Sequence, residues 1–391
     1  MKVLHCFHDY LKPTESWAYR LIVNVLDVEQ FIVAKTYRKT NFYHPALQFI
    51  EYPLSPFKRT VKSFWLHVAH TINHQLRKRI TFDQYVQKMC SFHKIDVMHF
   101  HFANIGWEYR QLANKTAIPY VISFYGIDYE CLPYREPVWM ERYKILFKEA
   151  AAFVCEGANG VKILEKMGCP TEKIHVIRLG IDVDKVPYVR REKKEGSLNL
   201  LQIATYTEKK GHIYSLKAFE KALKTCPNMK LSFLGGAQKG TIRKELERFA
   251  VEKGIRNKVT FLDFIDYDKL HEFMGAFDVF IHPSVYAADM NCEGGAPVVL
   301  MDAQATGMPV ISTTHCDIPE VVIHSETGLL AKEKDVDQIA TCIENFYKLD
   351  QAEFEVYSKT ARKHIETNYN SALNSIPLAG LYKKLKEEKA C

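Results

Sequence analysis

The sequence has no apolar run of the roughly 18–20 residues needed to cross a bilayer as a helix, which excludes an integral helical membrane protein. Its ten cysteines form no C-x-x-C pair and no regular spacing. That argues against a disulfide framework and a zinc site, and for reduced thiols in a cytosolic compartment. No pair of acidic residues shows metal-ligand spacing, so neither an essential divalent cation nor any other cofactor is expected. The opening residues, MKVLHCFHDY, contain no signal-peptide core and are expected to start a strand at once. No nucleic-acid-binding module is recognisable.

What is present describes a soluble globular chain. Hydrophobic residues make up 47% and charged residues 25%, and 391 residues are too many for one ordinary core, so two domains are expected. The net charge of +7 lies in the first hundred residues, which hold 14 Lys and Arg against 7 Asp and Glu. The excess is densest over 56–88, where Lys58, Arg59, Lys62, Arg77, Lys78, Arg79 and Lys88 are opposed only by Asp83 and interleaved with Phe57, Phe64, Trp65 and Leu66. This segment reads as a solvated amphipathic helix or as a surface for anionic lipid headgroups, where each cation contributes about 1 kcal/mol. An RNA-binding patch is the weakest of the three readings, and no nucleic-acid partner is expected.

Strand and helix patterns alternate through both halves, which predicts α/β architecture with two doubly wound parallel sheets. In the first half, Lys2 to Phe7, Phe31 to Ala34, Gln48 to Glu51, Ile95 to Phe102, Pro119 to Phe124, Ala151 to Glu156 and Ile174 to Arg178 read as strands. A capped helix is expected to start near Thr14 and Glu15. His99 and His101 fall towards the carboxyl end of a strand, where ligands bind in such sheets, although packed histidines are common there. Tyr125, Gly126 and Asp128 follow another strand, and Asp128 suits either a cap or a ligand contact. The domains are expected at 1–183 and 198–350, joined by the polar linker 184–197 and followed by C-terminal helices over 351–391 that pack back towards the first domain.

The most informative stretch runs from Val279 to Val322. A short buried strand leads into a loop carrying Asp289, Glu293, Gly294 and Gly295, where paired glycines allow close backbone approach to a ligand. Pro297 is expected at the first helical position, which leaves the Val298 and Val299 N–H groups as free donors at the positive end of a helix dipole. That is an anion site needing no lysine. Asp302 lies one turn in on the same face, placed to suit ribose hydroxyls. Gly307 and Pro309 mark the helix end. A nucleoside diphosphate fits this arrangement.

EGGAPVVLMDAQATGMPVIST and HCDIPEVV resemble the family 4 retaining glycosyltransferases, especially those of bacterial polysaccharide synthesis. TEKKGHIYSLKAF (Thr207 to Phe219), FYGIDYE (Phe124 to Glu130), GCPTEKIHVIRLGID (Gly168 to Asp182) and TGLL (Thr327 to Leu330) extend the likeness over nearly the whole chain. The resemblance implies the GT-B plan, two Rossmann-like domains facing across a cleft, the first on the acceptor side and the second binding the donor. It implies transfer of a hexose, with retention, from a UDP- or GDP-linked sugar to a glycan or lipid-linked glycan acceptor. Glu293 takes the place of the family's sugar-binding glutamate, Asp302 that of its ribose ligand and Lys210 that of its diphosphate lysine. Thr205, Gly235, Gly294, Gly295, Pro297, Val298 and Val299 complete the donor set, while Glu15, His101, Tyr125 and Asp128 lie on the acceptor side. The sequence departs from the family at three points. Eight residues rather than seven separate Glu293 from a shorter second acid, Thr205 replaces an arginine, and Tyr125 replaces a histidine. An epimerase-like nucleotide-sugar enzyme and a non-catalytic glycan- or nucleotide-binding relative remain open. The enzyme is expected in the cytoplasm, with the basic segment 56–88 available to hold it on the inner face of the membrane.

Overall fold

The strands fall into two parallel sheets with the same winding. The computed structural model describes residues 1–11, 15–37, 44, 46–51, 81–236 and 241–390. The basic segment therefore lies outside the described residues up to residue 80. The first sheet contains β1 (Lys2–Tyr10), β2 (Glu29–Tyr37), β3 (Leu47–Phe49), β4 (Val97–His101), β5 (Tyr120–Ser123), β6 (Ala152–Cys155) and β7 (Ile174–Val176), in the order 3-2-1-4-5-6-7. The second contains β8 (Leu198–Ile203), β9 (Met229–Leu234), β10 (Val259–Leu262), β11 (Val279–His282), β12 (Val310–Thr313) and β13 (Gly328–Ala331), in the order 10-9-8-11-12-13. Each order reverses once, between β1 and β4 and between β8 and β11. The carboxyl ends of strands at such a switch are where a doubly wound sheet opens a crevice for ligands.

Parallel pairing requires crossovers on both faces, so central strands are buried on both sides and read as near-continuous apolar runs. β4, β5, β6, β11 and β12 are buried at every position. In β8, Leu198 and Leu200 point into one core with Phe219, Leu231 and Phe233, while Leu201 points into another with Phe280, Leu300 and Val310. Period-2 alternation thus divides one strand between two cores.

Helices connect and flank the strands. Among them are α1 (Ser16–Val23), α2 (Ala158–Lys166), α3 (His212–Ala222), α4 (Tyr267–Met274), α5 (Val298–Ala305), α6 (Gln351–Asn368) and α7 (Ile376–Ala390). α5 ends as expected. Thr306 is followed by Gly307 at φ +78°, the Gly307 N–H donates to Gln304 O, and the Met308 N–H donates to Ala303 O. Its start differs by one residue. Pro297 has ψ 124° and its carbonyl accepts the first helical bond from Leu300 N–H at 2.9 Å, so it is the cap and Val298 is the first helical residue. At the other predicted start, Glu15 flanks α1 but its side chain makes no capping bond to the helix.

Contacts divide the chain into two units. One comprises residues 1–123, 144–154 and 376–391, and the other 124–143 and 155–375. Within the first, α7 rests on β4, with Lys386 Nζ 3.1 Å from Asp96 Oδ2. Within the second, residues 184–197 are docked. The Arg191 guanidinium, 5% exposed, donates to the carbonyls of Val189, Met274, Phe277 and Thr306 and to Thr306 Oγ1. Burial, only partly offset by Asp278, pulls its pKa down to about 10. Among the described residues all nine cysteines are free thiols, and no helix is long and apolar enough to cross a membrane.

Candidate active site

The site forms where β8 and β11 end side by side. Gly211, at φ +66°, closes the turn after β8, and a Cβ there would fall 1.8 Å from Pro283 O. Only glycine lets this turn rest on the backbone leaving β11, and that contact delivers the preceding lysines. Lys210 Nζ reaches Glu293 Oε2 at 2.7 Å, with Lys209 Nζ 3.7 Å from the same oxygen and bonded to Cys292 O at 2.6 Å. Ser284 Oγ donates to Glu293 Oε1 at 2.8 Å, and His282 Nε2 lies 3.7 Å from that oxygen. The Glu293 side chain is 5% exposed, against 18% for Lys210 and 20% for Lys209.

Burial alone would raise the pKa of Glu293, but Lys210 and Lys209 outweigh it and hold the carboxyl well below the ordinary range. Burial lowers the pKa of Lys210, and Glu293 opposes that shift. The result is a buried cluster in which an ionised carboxylate is flanked by two lysines. Such a cluster accepts a further anion more readily than a further cation.

The anion site expected at α5 adjoins it. Val298 and Val299 open the helix half-buried, and as its first two residues they have no intrahelical acceptor for their N–H groups. Asp302, one turn in and 4% exposed, accepts from Tyr267 Oη at 2.7 Å and His271 Nε2 at 3.0 Å. α4 therefore orients this carboxylate, a role the sequence did not reveal. At the neighbouring strand end, a Cβ on Gly235 would meet Ala204 O at 2.0 Å, and Thr205 O accepts from Thr207 N–H at 2.7 Å.

The two glycines after Glu293 are used by the chain itself. Gly294, at φ +82°, lies so close to Gly126 that a Cβ would fall 2.5 Å from its nitrogen. In return a Cβ on Gly126 would fall 2.0 Å from Cys292 O. Gly295 packs on Glu156, whose Oε2 would be 1.9 Å from a Cβ. Burial, then Asp317 and Glu293, push the Glu156 carboxyl well above its usual range, favouring the protonated form. The added residue between Glu293 and Asp302 thus sits where two backbones cross.

Asp128 acts on its own turn. Fully buried, it accepts the Tyr125 N–H at 2.8 Å, and its own N–H returns to Tyr125 O at 3.1 Å. Arg135, a few residues on, pairs with Asp289 of the Glu293 loop. Glu15 and His101 belong to the other unit, Glu15 half-buried and His101 fully buried. His101 stacks on Phe7 at 4.3 Å, and its Nε2 lies 3.0 Å from His5 Nδ1. His5 Nε2 in turn meets Gln30 Oε1 at 2.7 Å, and His99 bonds Ser123 and Tyr382. Burial lowers the His5 pKa to about 4 and those of His99 and His101 well below the usual value. These three neutral imidazoles pack ring against ring in the core, each with hydrogen-bond partners of its own.

Sequence reasoning missed Lys209, His282, Ser284, Tyr267 and His271 beside Glu293 and Asp302. The doubled lysine in TEKKGH was the one available signal, because the others come from separate elements.

Residues 189–364 match the family model of the group 1 glycosyl transferases, and residues 41–185 that of glycosyltransferase family 4. The chain is 30% identical over 298 residues to WcaL of Escherichia coli (strain K12), assigned by its name to colanic acid biosynthesis, over 75% of this chain and 71% of that protein. It is 31% identical over 221 residues to the amylovoran biosynthesis glycosyltransferase AmsK of Erwinia amylovora, over 56% of this chain and 53% of AmsK. Among solved structures, sucrose-phosphate synthase from Thermosynechococcus elongatus superposes with a TM-score of 0.76 at 15% identity, covering 99% of this chain and 100% of that one. Anabaena Alr3699/HepE, solved with UDP-glucose, gives 0.72 at 15% identity, covering 98% and 100%. The structural matches establish a GT-B-like fold and nothing finer. Together with the match to WcaL over most of its length and the two family models, they show that the chain belongs to the group 1, family 4 glycosyltransferases.

Proposed function

We propose that the protein transfers a hexose, with retention at the anomeric carbon, from a UDP- or GDP-linked sugar to a glycan or lipid-linked glycan in cell-surface polysaccharide synthesis. One observation carries the reading: a buried Lys210–Glu293 pair beside the N-terminus of α5, with Asp302 oriented one turn in. The bond from the anomeric carbon to the diphosphate oxygen breaks, the acceptor hydroxyl oxygen bonds to that carbon, and its proton leaves with the diphosphate or to solvent. Lys210 and the α5 amides stabilise the charge growing on the leaving diphosphate, where fixed donors in a water-poor site are most effective. Glu293 turns from Lys210 to hydroxyls of the sugar, and Asp302 holds the ribose. Because two lysines and a helix dipole supply the positive charge, turnover should be insensitive to chelators. WcaL and AmsK, both named for exopolysaccharide synthesis, support the substrate class, and HepE, solved with UDP-glucose, supports a nucleotide-sugar donor. On this reading the protein works in the cytoplasm, beside the inner face of the membrane.

A thermal-shift panel of UDP- and GDP-sugars tests the proposal. A ligand at 100 times its Kd adds about 2.7 kcal/mol of stability by mass action, a shift easily read. One base and one sugar should stand out, and product should form only when a glycan acceptor is added. Absence of any shift at millimolar concentration refutes the donor site, and soluble product without acceptor favours an epimerase-like enzyme.

A further inference from the structure

Three contacts behind Glu293 converge from β12 and β13 onto the loop that presents it. The Glu293 N–H donates to His315 Nε2 at 3.2 Å, while His315 Nδ1 lies 2.7 Å from Glu333 Oε1. The other carboxylate oxygen of Glu333 accepts the Tyr286 N–H at 2.9 Å, so Glu333 ties one end of the 286–293 loop directly and the other through His315. These bonds fix the tautomer. Nε2 must be bare to accept from the amide, so the ring proton sits on Nδ1 and points at the carboxylate. Cys316 Sγ, 3.2 Å from the same Nε2, is compatible as a weak second donor. The imidazole is fully buried and Tyr286 packs edge-on against it, with ring centroids 4.9 Å apart. Cys316 holds φ +46°, a left-handed conformation that costs a residue with a side chain and persists only where its surroundings enforce it. Burial would raise the pKa of Glu333, but the bonds from His315 and the Tyr286 amide keep it below the ordinary value.

We propose that His315, oriented by Glu333, is the positioning residue that sets the backbone of Glu293 and so aims its carboxylate at the donor sugar. The inference rests on the role given to Glu293 above. His315 touches that residue through its amide and takes no part in bond making. A displacement near 1 Å of an aligned group can cost on the order of 100-fold in rate. Losing the anchor of one loop residue should therefore slow turnover about 10- to 100-fold while leaving the nucleoside diphosphate site intact.

The experiment compares the full-length wild type with His315→Ala, His315→Gln, Glu293→Ala and the Ala/Ala double variant. Glutamine keeps a carbonyl oxygen near the place of Nε2 and an amide proton for Glu333. The readouts are kcat and KM with the donor found in the panel, affinity for UDP and GDP, and amide hydrogen exchange across residues 284–296. His315→Ala should lose kcat, keep nucleotide affinity and exchange the Glu293 amide faster. His315→Gln should recover most of both effects, and the double variant should be no slower than Glu293→Ala alone. The proposal is overturned if glutamine is as poor as alanine, if nucleotide affinity falls with kcat, or if the two losses multiply. Exchange separates failure of this inference from failure of the function. A Glu293 amide unprotected by His315 sinks the positioning role whatever the turnover. Full turnover in Glu293→Ala removes the role of Glu293, and this proposal with it, even where the exchange result holds.

Discussion

Replacing Glu293 by alanine should destabilise the protein and make a diphosphate the remedy. The carboxylate is the anion that Lys210 meets at 2.7 Å and Lys209 at 3.7 Å, inside a site where the lysines keep 18% and 20% of their side-chain exposure. Deleting one member of a buried ion pair typically costs 3–5 kcal/mol, because the partner is left charged and undersolvated. Residual exposure of the lysines reduces this to about 2–4 kcal/mol. For a unit of 150–250 residues each kcal/mol moves Tm by about 2–4 °C, so a fall of roughly 4–16 °C is expected. UDP or GDP then supplies the missing negative charge, and the variant has no Lys210–Glu293 bond to exchange for it. The nucleotide should therefore raise the Tm of the variant at least as much as that of the wild type. Scanning calorimetry with and without millimolar UDP and GDP measures both effects. The acid dependence has a definite sign. A carboxyl with a depressed folded-state pKa contributes stability above its unfolded value and loses it as pH falls through the folded value, so the gap between variant and wild type should close only in the acid range, below the ordinary value of 4.5. A variant with unchanged Tm, or one that no longer responds to a nucleotide the wild type binds, would refute the reasoning.

Three further outcomes follow from the geometry. Tyr267→Phe removes a donor to Asp302; since a hydrogen bond to a charged group contributes about 1.5–3 kcal/mol, Tm should fall by roughly 3–12 °C, and nucleoside diphosphate affinity measured by titration calorimetry should fall as well because the carboxylate loses its aim. Gly126→Ala would put a methyl group 2.0 Å from Cys292 O, so kcat should drop as the Glu293 loop is displaced, whereas alanine at Gly254, whose Cβ would meet nothing within 4 Å, should cost stability but not kcat. His5 is buried with its pKa lowered from 6.5 to about 4, so its share of stability is present above pH 6.5 and is lost as pH falls through that window. His5→Gln should flatten the stability–pH curve there by close to one proton in denaturant titrations, and an unchanged slope would show that the imidazole is not held neutral.

How far the molecule could be read beforehand depended on how local each cause is. The alternation of apolar strands with amphipathic helices acts over five to fifteen residues, so both sheets, most strand positions and the end of α5 at Gly307 followed from pattern alone. The start of α5 was misread by one position because proline's preset φ suits both a first helical residue and a cap, and ψ, which decides between them, is set by the incoming loop. The paired glycines posed a similar ambiguity. Their freedom signalled a close approach, but the thing approached is Gly126 and Glu156, more than a hundred residues away in sequence.

The sequence by itself determined the winding of the two sheets and the helix N-terminus that follows Glu293, and its motifs singled out Lys210 and Glu293, since all of these arise from short-range periodicity, turn chemistry and recognisable motifs. Only the tertiary structure decided that Lys210 and Lys209 share Glu293, that Tyr267 and His271 hold Asp302, and that Glu333 reaches Glu293 through His315. Each of those arrangements joins side chains from different elements or the loops that follow them. Their distances come from how strands and helices pack and how closely glycines let the loops cross, and no local stretch of chain encodes that.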